Sequence, residues 1–311
     1  METHVIVNPA SAVGRTGRQW PATQARLEAA IGPLQAHFTA RAGEAVGLTE
    51  AALEAGATRI IALGGDGTFS EVLNGFMDPA TELPRNPDAV IGLLGSGTGV
   101  DFMRSLAARS NQAAQIAVIA RAKITRIDVG LIELQGPDGR PRKRFFLNAC
   151  SLGLSAAIAA GVNRDRVGKL ASGRFSYLIS AFRVLLKQRA RAIEVAYDGG
   201  PAETRKLVML ACMNGKYTGG GLQLGPMAAL DSGRLEAIEI GDVGPLDLML
   251  NAHRLFRGTH LSHPAISHRP ARLLEARSAS EVPIRMEADG ELIGRLPARI
   301  RVLPGILPLI S

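Results

Sequence analysis

The sequence is poor in aromatic residues, in cysteine and in long apolar runs. Only 4% of its 311 residues are aromatic, so the core must be built mainly from aliphatic side chains. The two cysteines, Cys150 and Cys212, lie far apart in apolar runs, which indicates buried thiols in a reducing compartment rather than a disulfide framework. No stretch reaches the ~18–20 continuous apolar residues of a membrane span, and the first residues lack the basic and apolar segments of a signal peptide. We therefore expect a cytoplasmic protein.

Positive charge, in contrast, is abundant. Lysine and arginine number 36 against 28 aspartates and glutamates, which gives a formal net charge of +8. Such an excess favours anionic partners, namely nucleic acid, nucleotide phosphates or an anionic membrane surface, although a GC-rich genome also produces an arginine-rich composition. Because no aromatic RNA-binding signature, zinc finger or basic zipper accompanies the charge, we predict no nucleic-acid partner.

Strand and helix signals alternate through residues 1–124. Strands are predicted at 4–8, 59–63 and 89–94, and helices at 20–31, 43–55, 69–77 and from Asp101 onward. This order predicts an N-terminal α/β domain with a mainly parallel, layered sheet. Ligands of such sheets bind at the carboxyl ends of the strands, where three polar or glycine-rich segments fall, at 8–9, 64–68 and 95–99.

The predicted strands of residues 125–311 are short and numerous. They lie at 124–134, 144–150, 192–197, 206–213, 235–240, 271–277, 283–288 and 298–303. Turn residues separate most of them, which predicts a C-terminal antiparallel β-sandwich domain, with the extreme C-terminus docking back on the first domain. Four histidines between 253 and 268 have neither helical spacing nor a nearby cysteine, so we interpret their segment as a variable loop rather than a zinc site.

One helical segment interrupts the β-rich half. Residues 174–187 place apolar side chains at helical spacing, and basic residues crowd its flanks as far as Arg191. The segment is either a helix on the membrane surface or a helix packed on the sandwich with a solvated basic face. We favour the packed helix.

The segment richest in chemistry is residues 60–75. An apolar run breaks into three glycines around Asp66 and then resumes with helical spacing, which predicts a strand, a tight loop and a helix. A glycine-rich turn at a helix N-terminus presents bare backbone N–H groups to an anion, and the helix dipole adds to the attraction. A negatively charged Asp66 would be misplaced in a turn that binds only anions, so we expect its carboxylate to bind a metal ion or a hydrogen-bond donor of the ligand. The loop thus predicts phosphoryl transfer.

Further motifs accompany this loop in order. They are Asn8-Pro9-Ala10-Ser11, Gly-Thr-Gly-Val-Asp-Phe-Met-Arg at 97–104, Asn-Ala-Cys-Ser-Leu-Gly at 148–153, Asn-Gly-Lys-Tyr-Thr-Gly-Gly-Gly at 214–221, Pro-Met-Ala at 226–228 and Asp-Gly-Glu at 289–291. The ordered set resembles the diacylglycerol kinase catalytic-domain family, which includes bacterial lipid kinases and the sphingosine and ceramide kinases. The resemblance spans essentially the whole chain.

The resemblance implies an enzyme that transfers the γ-phosphate of ATP, with Mg²⁺, to the hydroxyl of a diacylglycerol-like lipid at the inner membrane face. It implies a general base in Glu291 with Asp289, of which Glu291 is preferred, because a lipid hydroxyl must lose its proton. The implied nucleotide-binding residues are Asn8, Pro9, Ser11, Thr39, Gly64, Gly65, Asp66, Gly67, Thr68, Glu71, Gly97 and Thr98. Asp66 is also the candidate ligand of the catalytic Mg²⁺.

The sequence departs from the family pattern at two positions that bear on these expectations. Val100 stands where the family usually has asparagine, which removes a hydrogen-bonding side chain beside the second loop. Ser232 stands where bacterial members carry the aspartate of a structural Mg²⁺ site, so that this metal is retained only if Asp231 shifts into place.

Two alternatives remain open from the sequence alone. NAD kinases and sugar-phosphate kinases share a Gly-Gly-Asp-Gly loop, although they do not usually carry the segment at 214–228. A non-catalytic regulator that binds nucleotide or lipid is the second alternative. The resemblance leaves the identity of the lipid and the oligomeric state open.

Overall fold

The computed structural model describes residues 1–96, 100–106, 111–136, 138–157 and 189–311. The predicted contacts Gly97 and Thr98, and the helical segment at 174–187, lie outside these residues. The helices are α1 (Arg15–Ile31), α2 (Glu44–Glu54), α3 (Asp66–Phe76), α4 (Asp101–Ser105), α5 (Gln112–Arg121) and α6 (Pro245–Arg257). The strands are β1 (Thr3–Val7), β2 (Gln35–Phe38), β3 (Arg59–Gly64), β4 (Val90–Gly95), β5 (Ile124–Gln135), β6 (Pro141–Phe146), β7 (Ala149–Gly153), β8 (Arg191–Tyr197), β9 (Glu203–Leu207), β10 (Met209–Met213), β11 (Leu235–Ile240), β12 (Ile266–Ala271), β13 (Leu273–Ser278), β14 (Arg285–Ala288) and β15 (Glu291–Ile310).

The first part of the chain forms a parallel sheet in the order β4-β3-β1-β2. Every residue of β1 and β3 is buried, as expected for parallel strands that are covered on both faces by helices. The register pairs Val7 with Leu63 and Gly64 with Gly95. The carboxyl ends of three strands therefore meet at one edge of the sheet.

The second part is an antiparallel, β-rich domain. Its strands β12-β11-β10-β7-β14-β15 continue the sheet, and β5, β6, β8, β9 and β13 pair around them. The predicted fold class, an α/β domain with parallel strands followed by an antiparallel β-rich domain, is confirmed.

Strand β15 is long enough to belong to both domains. It pairs antiparallel with β5 over most of its length, and near its end Leu309 pairs in parallel with Ile91 of β4. Its side chains enter two cores, because Leu307 and Leu309 pack with the α/β domain whereas Ile300 packs with the β-rich domain.

Some apolar runs predicted as single strands are two strands with different partners. The predicted strand at 144–150 is divided between β6, which pairs with β5, and β7, which pairs with β10 and β14. The predicted strand at 206–213 is likewise divided between β9 and β10. The change of partner falls inside a run of apolar residues, and a run of this kind carries no signal of which strand each residue pairs with.

The interpretation of the histidine segment as a loop is wrong. His253 lies on helix α6, His260 is buried in a short 3₁₀ helix, and His268 lies on β12. Pro245 stands in the first turn of α6, where a missing N–H costs nothing, so it marks a helix start rather than a loop. Within the part of the chain that the structure describes, no group of three or more His, Cys, Asp or Glu side chains is placed to hold a metal ion, and no helix is long and apolar enough to cross a membrane.

Candidate active site

The glycine loop lies at the carboxyl ends of the parallel strands. The backbone N–H of Asn8, after β1, donates to Leu63 O at 3.0 Å, and the N–H of Ser96, after β4, donates to Gly64 O at 2.8 Å. Backbone hydrogen bonds thus hold the segments after three strands side by side. This position agrees with the expectation that the segments at 8–9, 64–68 and 95–99 fall at the carboxyl ends of parallel strands.

Gly64 and Gly65 serve different purposes in this loop. A Cβ atom on Gly64 would lie 2.3 Å from Thr68 Oγ1, whereas a Cβ on Gly65 would meet nothing within 4 Å. Gly65 precedes helix α3 with extended φ and ψ of −102° and −173°, and no side chain caps the helix. Packing therefore requires glycine at position 64, while position 65 leaves the start of the helix open to a ligand.

A cavity of about 340 Å³ lies beside this loop. It is lined by Asn8, Ala10, Ser11, Thr39, Ala40, Arg41, Ala42, Gly65, Gly67, Thr68, Glu71 and Glu291. Most of the predicted nucleotide contacts are among these residues. Gly64, Pro9 and Asp66 are not. Gly64 is buried under Thr68, and the Pro9 carbonyl accepts the N–H of Gly17 at 3.1 Å.

The polar side chains of this cavity are held by one another. Asn8 Nδ2 donates to Thr68 Oγ1 at 3.0 Å, and the hydroxyls of Ser11 and Ser96 lie 2.7 Å apart. The Glu71 carboxylate accepts the N–H groups of Gly43 at 2.8 Å and Ala45 at 3.1 Å, which caps helix α2. Glu71 thus fixes the helix that borders the cavity.

A second cavity of about 200 Å³ adjoins the other side of the loop. It is lined by Asp66, Phe69, Asp101, Phe102, Leu147, Asn148, Thr218, Gly219, Gly220, Asp289 and Gly290. Three carboxylates therefore face one small space, and residues from both domains form its wall.

Asp66 caps helix α4 from within this second cavity. Its carboxylate accepts the backbone N–H groups of Asp101 at 2.8 Å and Phe102 at 3.1 Å. Burial raises the pKa of Asp66 to about 7, and the nearby charges of Asp101 and Asp289 also raise it. Burial raises the pKa of Asp101 as well, although that carboxylate accepts the N–H of Gly220 at 2.7 Å. The sequence did not predict that Asp101 lines this cavity, because its hydrogen-bond partner Gly220 lies in a distant segment.

Asp289 joins the two strands on either side of the β6–β7 break. It adopts a left-handed φ of 47°, and its carboxylate accepts the N–H groups of Leu147 at 2.9 Å, Asn148 at 2.9 Å and Ala149 at 3.2 Å. Burial raises the pKa of Asp289, although these hydrogen bonds and the charge of Arg144 lower it. The Asp289 carboxylate thus accepts the backbone N–H groups at the break between β6 and β7.

Glu291 reaches the glycine loop from the β-rich domain. Its Oε2 pairs with an Arg144 guanidinium nitrogen at 2.7 Å, and the same nitrogen lies 3.4 Å from Ser70 Oγ on helix α3. A Cβ atom on Gly67 would lie 4.0 Å from Glu291 Oε1. The structure therefore places Glu291 at the 340 Å³ cavity and Asp289 at the 200 Å³ cavity.

Glu287 is a buried carboxylate that no sequence motif singled out. It accepts hydrogen bonds from the Ser151 hydroxyl and from the Gly290 N–H, the latter at 2.9 Å. Burial raises its pKa to about 7, and Asp289 contributes in the same direction. Glu287 thereby supports the turn that carries Asp289 and Glu291.

The raised pKa values of Asp66 and Glu287 predict that each of these groups makes the ligand-free protein less stable as the pH rises from about 4 to about 7. Both pKa values are about 7 in the folded chain, against about 4 in the unfolded chain. The folded state binds more protons across this window, so each group lowers the free energy of unfolding by up to about 1.4 kcal/mol per pH unit. Melting temperatures measured across the window test this. Asp66→Asn and Glu287→Gln should each flatten the slope, whereas the exposed Glu281→Gln should not; an unchanged slope in both buried variants would contradict the prediction.

The surroundings of Asp231 are a poor donor set for a structural metal. The Ser232 hydroxyl donates to Arg234 O at 3.0 Å, and the neighbouring Gly233 N–H donates to the buried Asp128 at 2.6 Å. Asp128 also accepts the N–H of Gly305 at 2.8 Å. The hydrogen bonds of Asp128 join these segments directly, and we assign no Mg²⁺ to Asp231.

Comparison with known proteins agrees with this architecture. Residues 148–311 match the family described as YegS C-terminal NAD kinase beta sandwich-like domain, and residues 2–132 match the diacylglycerol kinase catalytic domain. A diacylglycerol kinase of Staphylococcus saprophyticus is 29% identical over 295 residues, which cover 94% of this chain and 90% of the relative. A diacylglycerol kinase of Staphylococcus haemolyticus is 29% identical over 296 residues, covering 94% of this chain and 83% of the relative.

Two solved structures show the same fold at lower identity. A proposed diacylglycerol kinase from Bacillus anthracis, strain Sterne, superposes with a TM-score of 0.78 at 24% identity, covering 100% of this chain and 95% of the other. Yeast NADH kinase complexed with NADH superposes with a TM-score of 0.55 at 11% identity, covering 99% and 82%.

These matches define a kinase built from an α/β domain and a β-rich domain. The chain belongs to the diacylglycerol kinase catalytic-domain family, in the form that carries a YegS-type C-terminal domain. The family membership predicted from the ordered motifs is confirmed, and the chain is a phosphotransferase of this type.

Proposed function

We propose that this protein transfers the γ-phosphate of ATP to the hydroxyl of a diacylglycerol-like lipid. The observation that carries the proposal is the position of Glu291, whose carboxylate comes from the β-rich domain and lies beside Gly67 in the glycine loop of the other domain. A phosphate donor bound at the loop and a hydroxyl beside Glu291 would be close enough for direct transfer.

The phosphate chain of ATP is assigned to the 340 Å³ cavity. The open N-terminus of helix α3 offers backbone N–H groups and the positive end of its dipole, and the Thr68 hydroxyl, which accepts a hydrogen bond from Asn8, keeps its own O–H to donate. The adenosine would extend past Asn8 and Thr39, which line the same cavity. Such fixed donors stabilise the charge that develops on the transferred phosphoryl group.

Glu291 is the proposed general base and accepts the proton of the lipid hydroxyl, with Asp289 as the second candidate. Asp66 is the proposed protein ligand of Mg²⁺, and the phosphate oxygens of ATP would supply most of the other ligands, because the described residues contain no group of three or more His, Cys, Asp or Glu side chains placed to hold an ion. When bound, Mg²⁺ neutralises charge on the phosphates. The chain's own residues orient the donor and remove the proton.

Direct assay separates this proposal from its alternatives. The purified chain is incubated with ATP and Mg²⁺ and offered diacylglycerol in mixed micelles, NAD or fructose 6-phosphate, and the products are identified by mass spectrometry. We expect a phosphorylated lipid only. A phosphorylated NAD or sugar would support the NAD kinase-like or sugar-phosphate kinase alternative, and nucleotide binding without any product would support a regulator.

The two loop glycines provide a matched pair of variants. Gly64→Ala should push Thr68 away from Asn8 and lower stability by about 1–3 kcal/mol, because the added methyl has no room. Gly65→Ala should leave the melting temperature unchanged and weaken ATP binding, because its methyl occupies the space assigned to the phosphates. Calorimetric titration with ATP measures the second effect. Unchanged ATP affinity in Gly65→Ala would contradict the assignment of the phosphates to this loop.

A further inference from the structure

The outward side of helix α6 is apolar. Leu246, Met249, Leu250 and Phe256 are 64%, 44%, 65% and 58% exposed. Counted from Leu246, they stand at the first, fourth, fifth and eleventh positions of the helix, which places them on one helical face. A surface helix ordinarily directs its polar side chains outward, so an apolar outward face is unusual.

The inward side of α6 is already occupied. Leu248 and Leu255 pack against the core cluster that contains Ile238 and Ile240. Because this packing fixes the helix on the β-rich domain, the exposed residues form a second apolar face that the helix does not need for its own attachment.

The exposed face also carries positive charge. His253 and Arg257 are exposed at positions that continue the same face, and Arg254 and Arg257 lie in the last turn. Apolar side chains together with arginine suit the boundary between the acyl chains and the anionic headgroups of a bilayer.

Helix α6 is joined to the loop that lines the second cavity, next to the glycine loop. Thr218, Gly219 and Gly220 line the 200 Å³ cavity. A few residues further along the same loop, the N–H of Gln223 donates to Leu255 O at 2.8 Å. Met227, which follows in this loop, is 64% exposed. A surface that held the membrane here would bring lipid headgroups close to the cavity mouth.

We propose that the exposed face of α6, formed by Leu246, Met249, Leu250, Phe256 and Arg257, docks on an anionic lipid bilayer. This inference rests on the proposed lipid kinase function and adds the surface through which the enzyme meets its substrate. It is distinct from the segment at 174–187, for which the sequence favours a packed helix over a helix on the membrane surface.

Vesicle sedimentation without nucleotide tests the docking surface independently of catalysis. The full chain should bind vesicles of phosphatidylcholine and phosphatidylglycerol more tightly than vesicles of phosphatidylcholine alone. Leu250→Ser and Leu246→Ser should each lower the partition coefficient on the order of tenfold, because each removes one leucine from the apolar contact. Leu83→Ser is the matched control, since Leu83 is 54% exposed on the other domain, and should leave binding unchanged.

The remaining outcomes separate the rival occupants of this face. Unchanged vesicle binding in both α6 variants would overturn the proposal. If Leu250→Ser instead lowered the melting temperature, another part of the same chain, such as residues 158–188, would cover the face. If it lowered the particle mass measured in solution, a second copy of the chain would cover the face. Either result would overturn the proposal. Loss of binding in Leu250→Ser with no lipid phosphorylated by the wild type would contradict the proposed function alone. Phosphorylation of a short-chain diacylglycerol in micelles, with unaffected vesicle binding in the variants, would contradict the docking surface alone.

Discussion

Glu291→Gln is expected to lower kcat for lipid phosphorylation by about 10²–10⁴-fold, the usual contribution of a general base. Glutamine keeps the shape of the side chain and an oxygen toward Arg144, so folding should be retained. The lost ion pair is partly exposed, at 20% and 39% for the two side chains, and pairs of this kind contribute about 0–1 kcal/mol. Affinity for ATP should change little, because the backbone of the glycine loop is untouched.

Steady-state kinetics with saturating lipid provide the measurement, and Glu281→Gln is the control because Glu281 is exposed in the same domain. The proposed base would be wrong if Glu291→Gln retained the wild-type kcat. Should Asp289→Asn then lose activity with an unchanged melting temperature, the base would be Asp289.

Asp289→Ala is expected to destabilise the protein more than either loop-glycine variant does. Three backbone N–H groups lose their shared acceptor, and an unsatisfied buried donor costs about 1–3 kcal/mol. Alanine is also less tolerant than aspartate of the φ of 47° at this position. We expect a loss of about 3 kcal/mol or more, and a fall in melting temperature of roughly 6–12 °C.

Asp198→Ala is a matched control for this variant. Asp198 also has a left-handed φ, 51°, and its carboxylate accepts the N–H groups of Arg272 and Leu273 at 2.8 and 2.9 Å, but it lies on an exposed turn away from both cavities. It should lose less stability and keep full activity. If Asp289→Ala melted like the wild type and were nevertheless inactive, the carboxylate would serve the reaction rather than the joint between strands.

The glycine loop was predictable from the sequence because its chemistry is local. A buried strand, three glycines and a helix within residues 60–75 define both the geometry and the exposed N–H groups. The positions of Asn8 and Thr68 side by side also follow, since parallel strands bring their carboxyl ends to one edge.

The carboxylates of the second cavity were less predictable. Asp66 looked free to bind a metal ion, yet its oxygens accept N–H groups from helix α4, and Asp101 accepts one from Gly220. Both pairings join segments far apart in the chain, and single-sequence patterns carry no signal for such contacts. The burial of Glu287 is hidden in the same way.

Strand β15 was predicted as 298–303 but spans 20 residues. Pro297 and Pro304 flank the predicted segment, and proline cannot donate to a strand ladder. The structure accommodates both prolines where the register with β5 shifts, between Arg295 and Ala298 and between Leu303 and Leu307. Irregularities in strand pairing depend on the neighbouring strand and cannot be read from one segment.

The position of β15 also determines when, during synthesis, the parallel sheet gains its neighbour at β4. The edge of the parallel sheet at β4 receives its neighbour only when Leu309 pairs with Ile91. While the ribosome is still making the β-rich half, that edge is an open row of backbone groups, available to other nascent chains. Among the described strands, the one that covers this edge of the α/β domain follows the rest of the β-rich domain in the chain, so slow translation of that domain would prolong the interval in which the edge is open to aggregation.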